Sequence, residues 1–263
     1  PDPVNNYGVE DILDIGPFRT APIDGHQAFF ERFHSELLVI NGIDVGTNSH
    51  QVGTRHTWSG SMNPGTPSIS AVVAGTRAER TALPFLTNGG YDMTDGLVAP
   101  TRIPDTSAIT EIAFPHQITS NNEVTYFSES TLSRIKEARE ARMARQIEQA
   151  TLPRVKRAMG QLQEARSGDS ELNRFINYLP STLDNTGNQL IRQAQIALAA
   201  FRAGLTVSAN LNIGGFDTHG NHDNQHTPRI QQILEGVTFI MDQAEALGIR
   251  DKLIVLVGSD FAR

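Results

Sequence analysis

The sequence predicts an α/β protein: a central, mostly parallel sheet flanked by helices, with an inserted helical segment. Three observations carry that prediction. Two continuous apolar runs, "LLVINGI" (37–43) and "LIVLVGSD" (253–260), have the pattern of parallel strands covered on both faces. Stretches with helical period lie between such runs, notably 188–204 and 227–247. The chain from Leu205 reads strand (205–213), helix (227–247), strand (253–258). Such a βαβ unit is right-handed, with parallel strands.

The elements are justified in order. The first 25 residues are rich in Pro, Gly and Asp and read as mostly irregular. "HQAFFERFHSE" (26–36) puts Phe29, Phe30 and Phe33 on one helical face. The strand 37–43 follows. Thr47, Asn48 or Ser49 then caps a helix that runs to about Ser59, and Gly60 stops it. Residues 68–80 read as another short helix, and 81–128 as loops with short strands. From 129 the chain becomes charge-dense and helix-forming. Two helices divided near Pro153 make an excursion spanning about 129–182 within a single domain, 1–263. The helix 188–204 closes at Gly204. The last helix has Thr227 as its cap and Pro228 at its first position. Ile230, Ile233, Leu234, Val237, Ile240, Met241, Ala244 and Leu247 mark its apolar face.

Composition narrows the function. The chain has 263 residues, of which 38% are hydrophobic, so a sizeable core is available. A net charge of −7 argues against nucleic acid as partner, because phosphate contact needs surplus Lys and Arg. The Arg and Lys of 129–166 interleave with Glu and read as a solvated helical face. There is no cysteine, which excludes a disulfide framework, a zinc ribbon and a thiol nucleophile. No apolar run approaches the roughly 20 residues a membrane span needs. The start at Pro1 and the end three residues past a strand-like run point to a fragment.

In an open parallel sheet, ligands collect at the carboxyl ends of strands. Three polar clusters fall there: "TNSH" after 37–43, "FDTHGNH" after 205–213 and "SDFAR" after 253–258. The second cluster is dense, since His219, His222 and His226 lie within eight residues, with Asp217 and Asp223 among them. Carboxylate and imidazole suit zinc, manganese or iron, and a loop lets both turn to one point. Asp217, His219, Asp260 and His222 are therefore the metal candidates, although His222 and His226 equally suit solvent-facing loop histidines and Asp260 a turn. Ser49 stands at a helix start, where free N–H groups stabilise developing negative charge. It reads as a nucleophile or as a plain N-cap. His50 and His56 lie on the same helix. Arg55 and Asn48 are the candidate substrate contacts. A phosphate loop, a dinucleotide fingerprint and a Gly-x-Ser-x-Gly elbow are all missing from the sequence.

"LLVINGIDVGTNSHQVGTRHTWSG", "GGFDTHGNH" and "LIVLVGSDFAR" resemble, in this order, the hallmark segments of domain-of-unknown-function family 1501. That bacterial family is placed in the alkaline phosphatase–sulfatase superfamily. The likeness spans roughly 26–60 and 188–263. It implies an alkaline phosphatase-like fold with divalent ions, zinc, manganese, magnesium or calcium, at the strand ends. It also implies export to the periplasm or cell surface. Ser49 best matches the superfamily nucleophile and Thr47 is second, with His50 beside them. Asp217 and His219 match one ligand group and Asp260 another. The function implied is hydrolysis of phosphate or sulfate esters, on a small-molecule or polysaccharide substrate. The alternative is a non-catalytic binding or surface protein with a degenerate metal site. Departures from the family pattern mean that these residues alone do not build a complete two-metal site. The superfamily's first metal-binding carboxylate lies before Pro1, and its last Asp-His pair would follow Arg263. Phe261 and Ala262 stand where His and Gly are usual.

Overall fold

The computed structural model describes residues 7–77, 81–103, 114, 116–118, 124–167 and 174–261. Parts of several expected elements lie outside them: the end of the helix 68–80, most of the loop region 104–123, residues 168–173 of the helical excursion, and Ala262 and Arg263. Contacts divide the chain into two units. The first holds Pro1–Gly46, Asp184–Gln195 and Asn212–Arg263; the second holds Thr47–Leu183 and Ile196–Leu211.

The first unit opens with a hairpin. β1 (Leu13–Ile15) and β2 (Phe18–Thr20) pair antiparallel, with Leu13 opposite Thr20. This stretch was expected to be irregular. Gly16, at φ +55°, and Pro17 form a two-residue turn that brings two short strands together. A side chain at Gly16 would also strike the His34 ring, 2.7 Å away. α1 (His26–Phe33) follows as expected and buries Phe29 and Phe33, whose rings lie 5.0 Å apart. Phe30 turns to Phe18 of the hairpin at 5.5 Å. Local aromatic packing thus fastens helix to hairpin.

The second unit contains the sheet. α2 (His50–Ser59) ends at Gly60, at φ 68°, as its sequence predicts. α3 (Ile69–Gly75) is capped by Ser68, whose Oγ accepts from the Ala71 N–H at 3.2 Å. β3 (Phe85–Thr87) is the central strand, with β4 (Pro100–Thr101) on one side and a later strand, β5 (Ser208–Asn210), on the other. Both pairings are parallel. The strand β3 sends Phe85 to Ala71, Ala74 and Val98, and Leu86 to the larger cluster of Ile103, Phe175, Ile196, Ala200 and Leu205. It is therefore covered on both faces. α4 (Glu129–Gln149) and α5 (Pro153–Ser167) divide at Pro153 and pack on each other. Met143 is a buried residue of α4, and the charged positions of that helix face solvent. α6 (Gln189–Arg202) supplies Ile196, Ala199 and Ala200 to the core.

The protein is thus α/β, with a small three-stranded parallel sheet flanked by helices. Two expected strands are not in it. Residues 37–43 and 253–258 are extended but pair with no strand among the described residues. Only Ser208–Asn210 of the expected strand 205–213 is laddered. The expected βαβ unit therefore does not form. An apolar run reports that a segment avoids water, not which edge it pairs with, and pairing is a non-local choice.

α7 (His222–Ala246) also departs from expectation at its start. Thr227 does not cap it, and Pro228 lies inside it, seven residues along. Pro228 offers no N–H to the Asn224 carbonyl. Side chains hold the extra turns instead: Gln225 Nε2 donates to the Gly220 carbonyl at 2.9 Å, and Asn224 Nδ2 to Asn221 Oδ1 at 2.5 Å. α7 packs on α1, and an Arg32–Asp242 ion pair joins them. Gly236 lets α7 approach α6, since a Cβ there would lie 3.0 Å from Leu190.

His26 gives the first unit a pH dependence. Its Nδ1 shares a 2.9 Å hydrogen bond with the Thr20 hydroxyl, while Nε2 is buried with no hydrogen-bond partner among the described residues. Burial holds its pKa below the ordinary histidine value. The unfolded chain thus binds the proton more tightly than the folded one. The stability this contributes is complete above about pH 6.5 and is lost as pH falls through the lowered folded value. The melting temperature of the parent is expected to drop between pH 7.5 and pH 5.5 by more than that of His26→Gln. Equal drops in calorimetry would refute this account.

Candidate functional site

The sequence candidates fall into two groups, one in each unit. Thr47, Asn48, Ser49, His50 and Arg55 belong to the second unit. Asp217, His219, His222 and Asp260 belong to the first.

Ser49 is the N-cap residue of α2 by backbone geometry, at φ −92° and ψ 117°. Its carbonyl accepts from Val52 and Gly53 at 3.1 and 2.8 Å. Its hydroxyl, however, makes no capping hydrogen bond. An N-cap serine ordinarily spends that oxygen on the second or third N–H of the helix. The neighbouring Thr47 does the local work, its Oγ1 accepting from the Ser49 N–H at 3.1 Å. Ser49 thus presents an exposed oxygen at the positive end of a ten-residue helix. Asn48 and His50 flank it and are exposed. Arg55 is engaged elsewhere, donating from Nη1 to the Met62 carbonyl at 2.6 Å, which ties α2 to the chain beyond Gly60. Its remaining N–H groups are what it has to offer a substrate.

The histidine-rich loop is anchored from α6. Gln189 and Gln193 both donate to the Asn212 carbonyl at 3.0 Å, and Gln193 Oε1 accepts from the Asn212 N–H at 2.8 Å. Gly215 follows, at φ +94°, and Arg229 Nε lies 2.9 Å from where its Cβ would stand. Only glycine allows both that backbone and that approach. Beyond it, His219 Nε2 and Asp217 Oδ2 are 3.2 Å apart, both on the surface. Thr218 Oγ1 reaches the other way, to His222 Nδ1 at 2.5 Å. His222 and His226 stack on α7 at 4.6 Å, and Phe216 meets His226 edge-on at 5.5 Å. Burial and then the His222 charge push the His226 pKa down, with Asp223 acting against them. Asp260 is half-buried at the end of the extended run 253–259.

His226 gains significance from its neighbours. Its i, i+4 spacing to His222 was in the sequence. The expected Thr227 cap hid it by placing His222 and His226 outside the helix.

The Asp217–His219 distance suits an ion as well as a hydrogen bond. Two ligands bound about 2.1 Å from a tetrahedral ion stand roughly 3.4 Å apart. Such sites need at least three protein ligands. Among the described residues, no three His, Asp or Glu side chains are grouped to hold one. Carboxylate and imidazole are donor types that suit a divalent ion, and here they stand as a pair. No family model matches the chain, and no curated protein or solved structure matches it.

Proposed function

We propose that the protein is an exported, metal-dependent hydrolase that cleaves phosphate or sulfate esters. The alkaline phosphatase-like fold belongs to the same proposal. The observation that carries it is the Ser49 hydroxyl, set at a helix N-terminus and unspent on capping. In this reading Ser49 Oγ attacks the phosphorus or sulfur of the ester. The bond to the ester oxygen breaks, the alcohol leaves with a proton, and water then releases the acid from Ser49. The open N–H groups of the first turn of α2 offset the negative charge gathered on the non-bridging oxygens. Asp217 and His219 are the ligand pair, with Asp260 and His222 the further donors. A divalent ion held by these donors would supply Lewis-acid chemistry.

A second reading is a non-catalytic binding or surface protein with an incomplete metal site. Among the described residues the donors group as a pair and not as a set, which favours it.

Titration calorimetry with zinc, manganese, magnesium and calcium, beside a panel of aryl phosphate and sulfate esters, separates the two readings. Asp217→Asn keeps the size of the side chain and removes its charge. It is expected to weaken ion binding by about 10- to 100-fold. Unchanged affinity would remove Asp217 from the ligand set. Failure to cleave any ester with every ion supplied would leave the non-catalytic reading.

A further inference from the structure

The chain has two Asn-Gly pairs, Asn41–Gly42 and Asn88–Gly89, and one Asn-Ser pair, Asn48–Ser49. A small residue after asparagine leaves its backbone nitrogen able to attack the asparagine side chain. The three pairs stand in different conditions. The Gly89 N–H donates to Thr87 Oγ1 at 3.1 Å, and Asn88 Nδ2 donates to the Asn210 carbonyl at 3.3 Å. The Asn88 N–H binds the same carbonyl at 3.0 Å, and the Asn88 carbonyl accepts from Arg102. The Ser49 N–H donates to Thr47 Oγ1 at 3.1 Å. Each guard is a threonine placed just before the asparagine, whose hydroxyl accepts from the N–H two residues on. Ile40 stands at that place before Asn41 and offers no side-chain acceptor. Among the described residues, nothing hydrogen-bonds the Gly42 N–H or the Asn41 side-chain amide. Asn41 and Gly42 are both exposed, and no atom lies within 4 Å of where a Cβ on Gly42 would stand.

We propose that Asn41–Gly42 is a self-modification site, at which the asparagine deamidates to a mixture of aspartate and isoaspartate. The Gly42 nitrogen gives its proton to a base from solvent and attacks the carbonyl carbon of the Asn41 side chain. The new C–N bond closes a succinimide ring. The bond to the side-chain nitrogen breaks, and that nitrogen takes a proton from water and leaves as ammonia. Water then opens the ring at either carbonyl. Breaking the C–N bond on the side-chain carbon gives aspartate. Breaking the one on the main-chain carbon gives isoaspartate, whose backbone runs through the former side chain. The steps consume only water, and no electrons change hands. Gly42 suits them, because it holds φ +74° and has no side chain to crowd its nitrogen. Either product sets a negative charge between Ile40 and Ile43, which are 65% and 58% exposed. At Asn88 the same attack must first break the bonds to Thr87 and Asn210.

Incubation of the chain in warm, mildly alkaline buffer, followed by peptide mass spectrometry, tests this. Conversion at Asn41 is expected to be at least about 10-fold faster than at Asn88, where hydrogen bonds hold both the nitrogen and the amide. In urea both sites lose their surroundings. Glycine follows each asparagine, so the two rates should then converge. Ile40→Thr supplies the missing hydroxyl at an exposed position and should slow conversion at Asn41 by about 5-fold. Thr87→Val removes the guard of the other pair and should speed conversion at Asn88 by a similar factor, with circular dichroism showing that the variant folds. Asn41→Gln should abolish the product at that position and leave Asn88 as in the parent. Equal rates at Asn41 and Asn88 in the folded chain overturn the proposal. So does a ratio that urea leaves unchanged, since sequence alone would then set it, or an Ile40→Thr protein that converts as fast as the parent.

Discussion

Ser49→Ala is expected to lower turnover of an aryl phosphate or sulfate ester by at least about 1,000-fold, with ion affinity unchanged. The hydroxyl is the attacking atom in the proposed reaction, and no other side chain at the start of α2 replaces it. The Thr47 hydroxyl is occupied with the Ser49 N–H. The same substitution separates chemistry from structure. Replacing a serine that caps a helix costs about 1 kcal/mol. Here the Ser49 oxygen makes no capping bond, so the melting temperature should hold. Lost turnover with retained stability marks a nucleophile. Retained turnover with lost stability marks a cap that forms in solution, and turnover equal to the parent removes Ser49 from the reaction. Ser49→Thr keeps a hydroxyl at the site and is expected to recover part of the rate.

Helices were the most legible part of the sequence. α1, α2, α3 and α6 lie where their apolar period and end signals put them, and Pro153 divides α4 from α5. Helix signals are local: the cap at Ser68 and the stop at Gly60 are each decided within a few residues. Strands depend on partners elsewhere in the chain. The central strand β3 is three residues of a loop-rich stretch, while two longer apolar runs pair with nothing among the described residues. Length and apolarity did not distinguish them, because pairing is set by the edge that the fold brings alongside. The start of α7 was obscured for a different reason. The Thr-Pro signal at 227–228 is a good local cap, but the side-chain bonds of Thr218, Asn224 and Gln225 hold the helix further upstream. That extension puts His222 and His226 on one helix face. In the loop before α7, Asp217 and His219 lie within hydrogen-bonding reach, since two residues of separation leave little else to decide.

Phe85→Ala is expected to cost about 4–5 kcal/mol, the upper part of the range for such truncations. Phe85 is fully buried on β3, which is hydrogen-bonded on both sides, to Pro100 and to Ser208 positions. A strand fixed at both edges cannot move in to fill the space left by a ring. The neighbours across that space, Ala71 and Ala74, are too small to reach into it, and they sit on α3 with its start fixed by the Ser68 cap. The cavity therefore persists, and the cost rises with its volume. A loss of this size is comparable to the whole stability of a small domain, about 5–15 kcal/mol. The variant is expected to be largely unfolded at 37 °C. Phe85→Leu keeps most of the volume and should cost about 1 kcal/mol. Leu86→Ala empties the opposite face of the same strand into the Phe175–Leu205 cluster and should cost about 3 kcal/mol. Urea unfolding of the three variants gives the order directly. A Phe85→Ala midpoint within about 1 kcal/mol of the parent would mean that the three-stranded sheet is not what holds the second unit together.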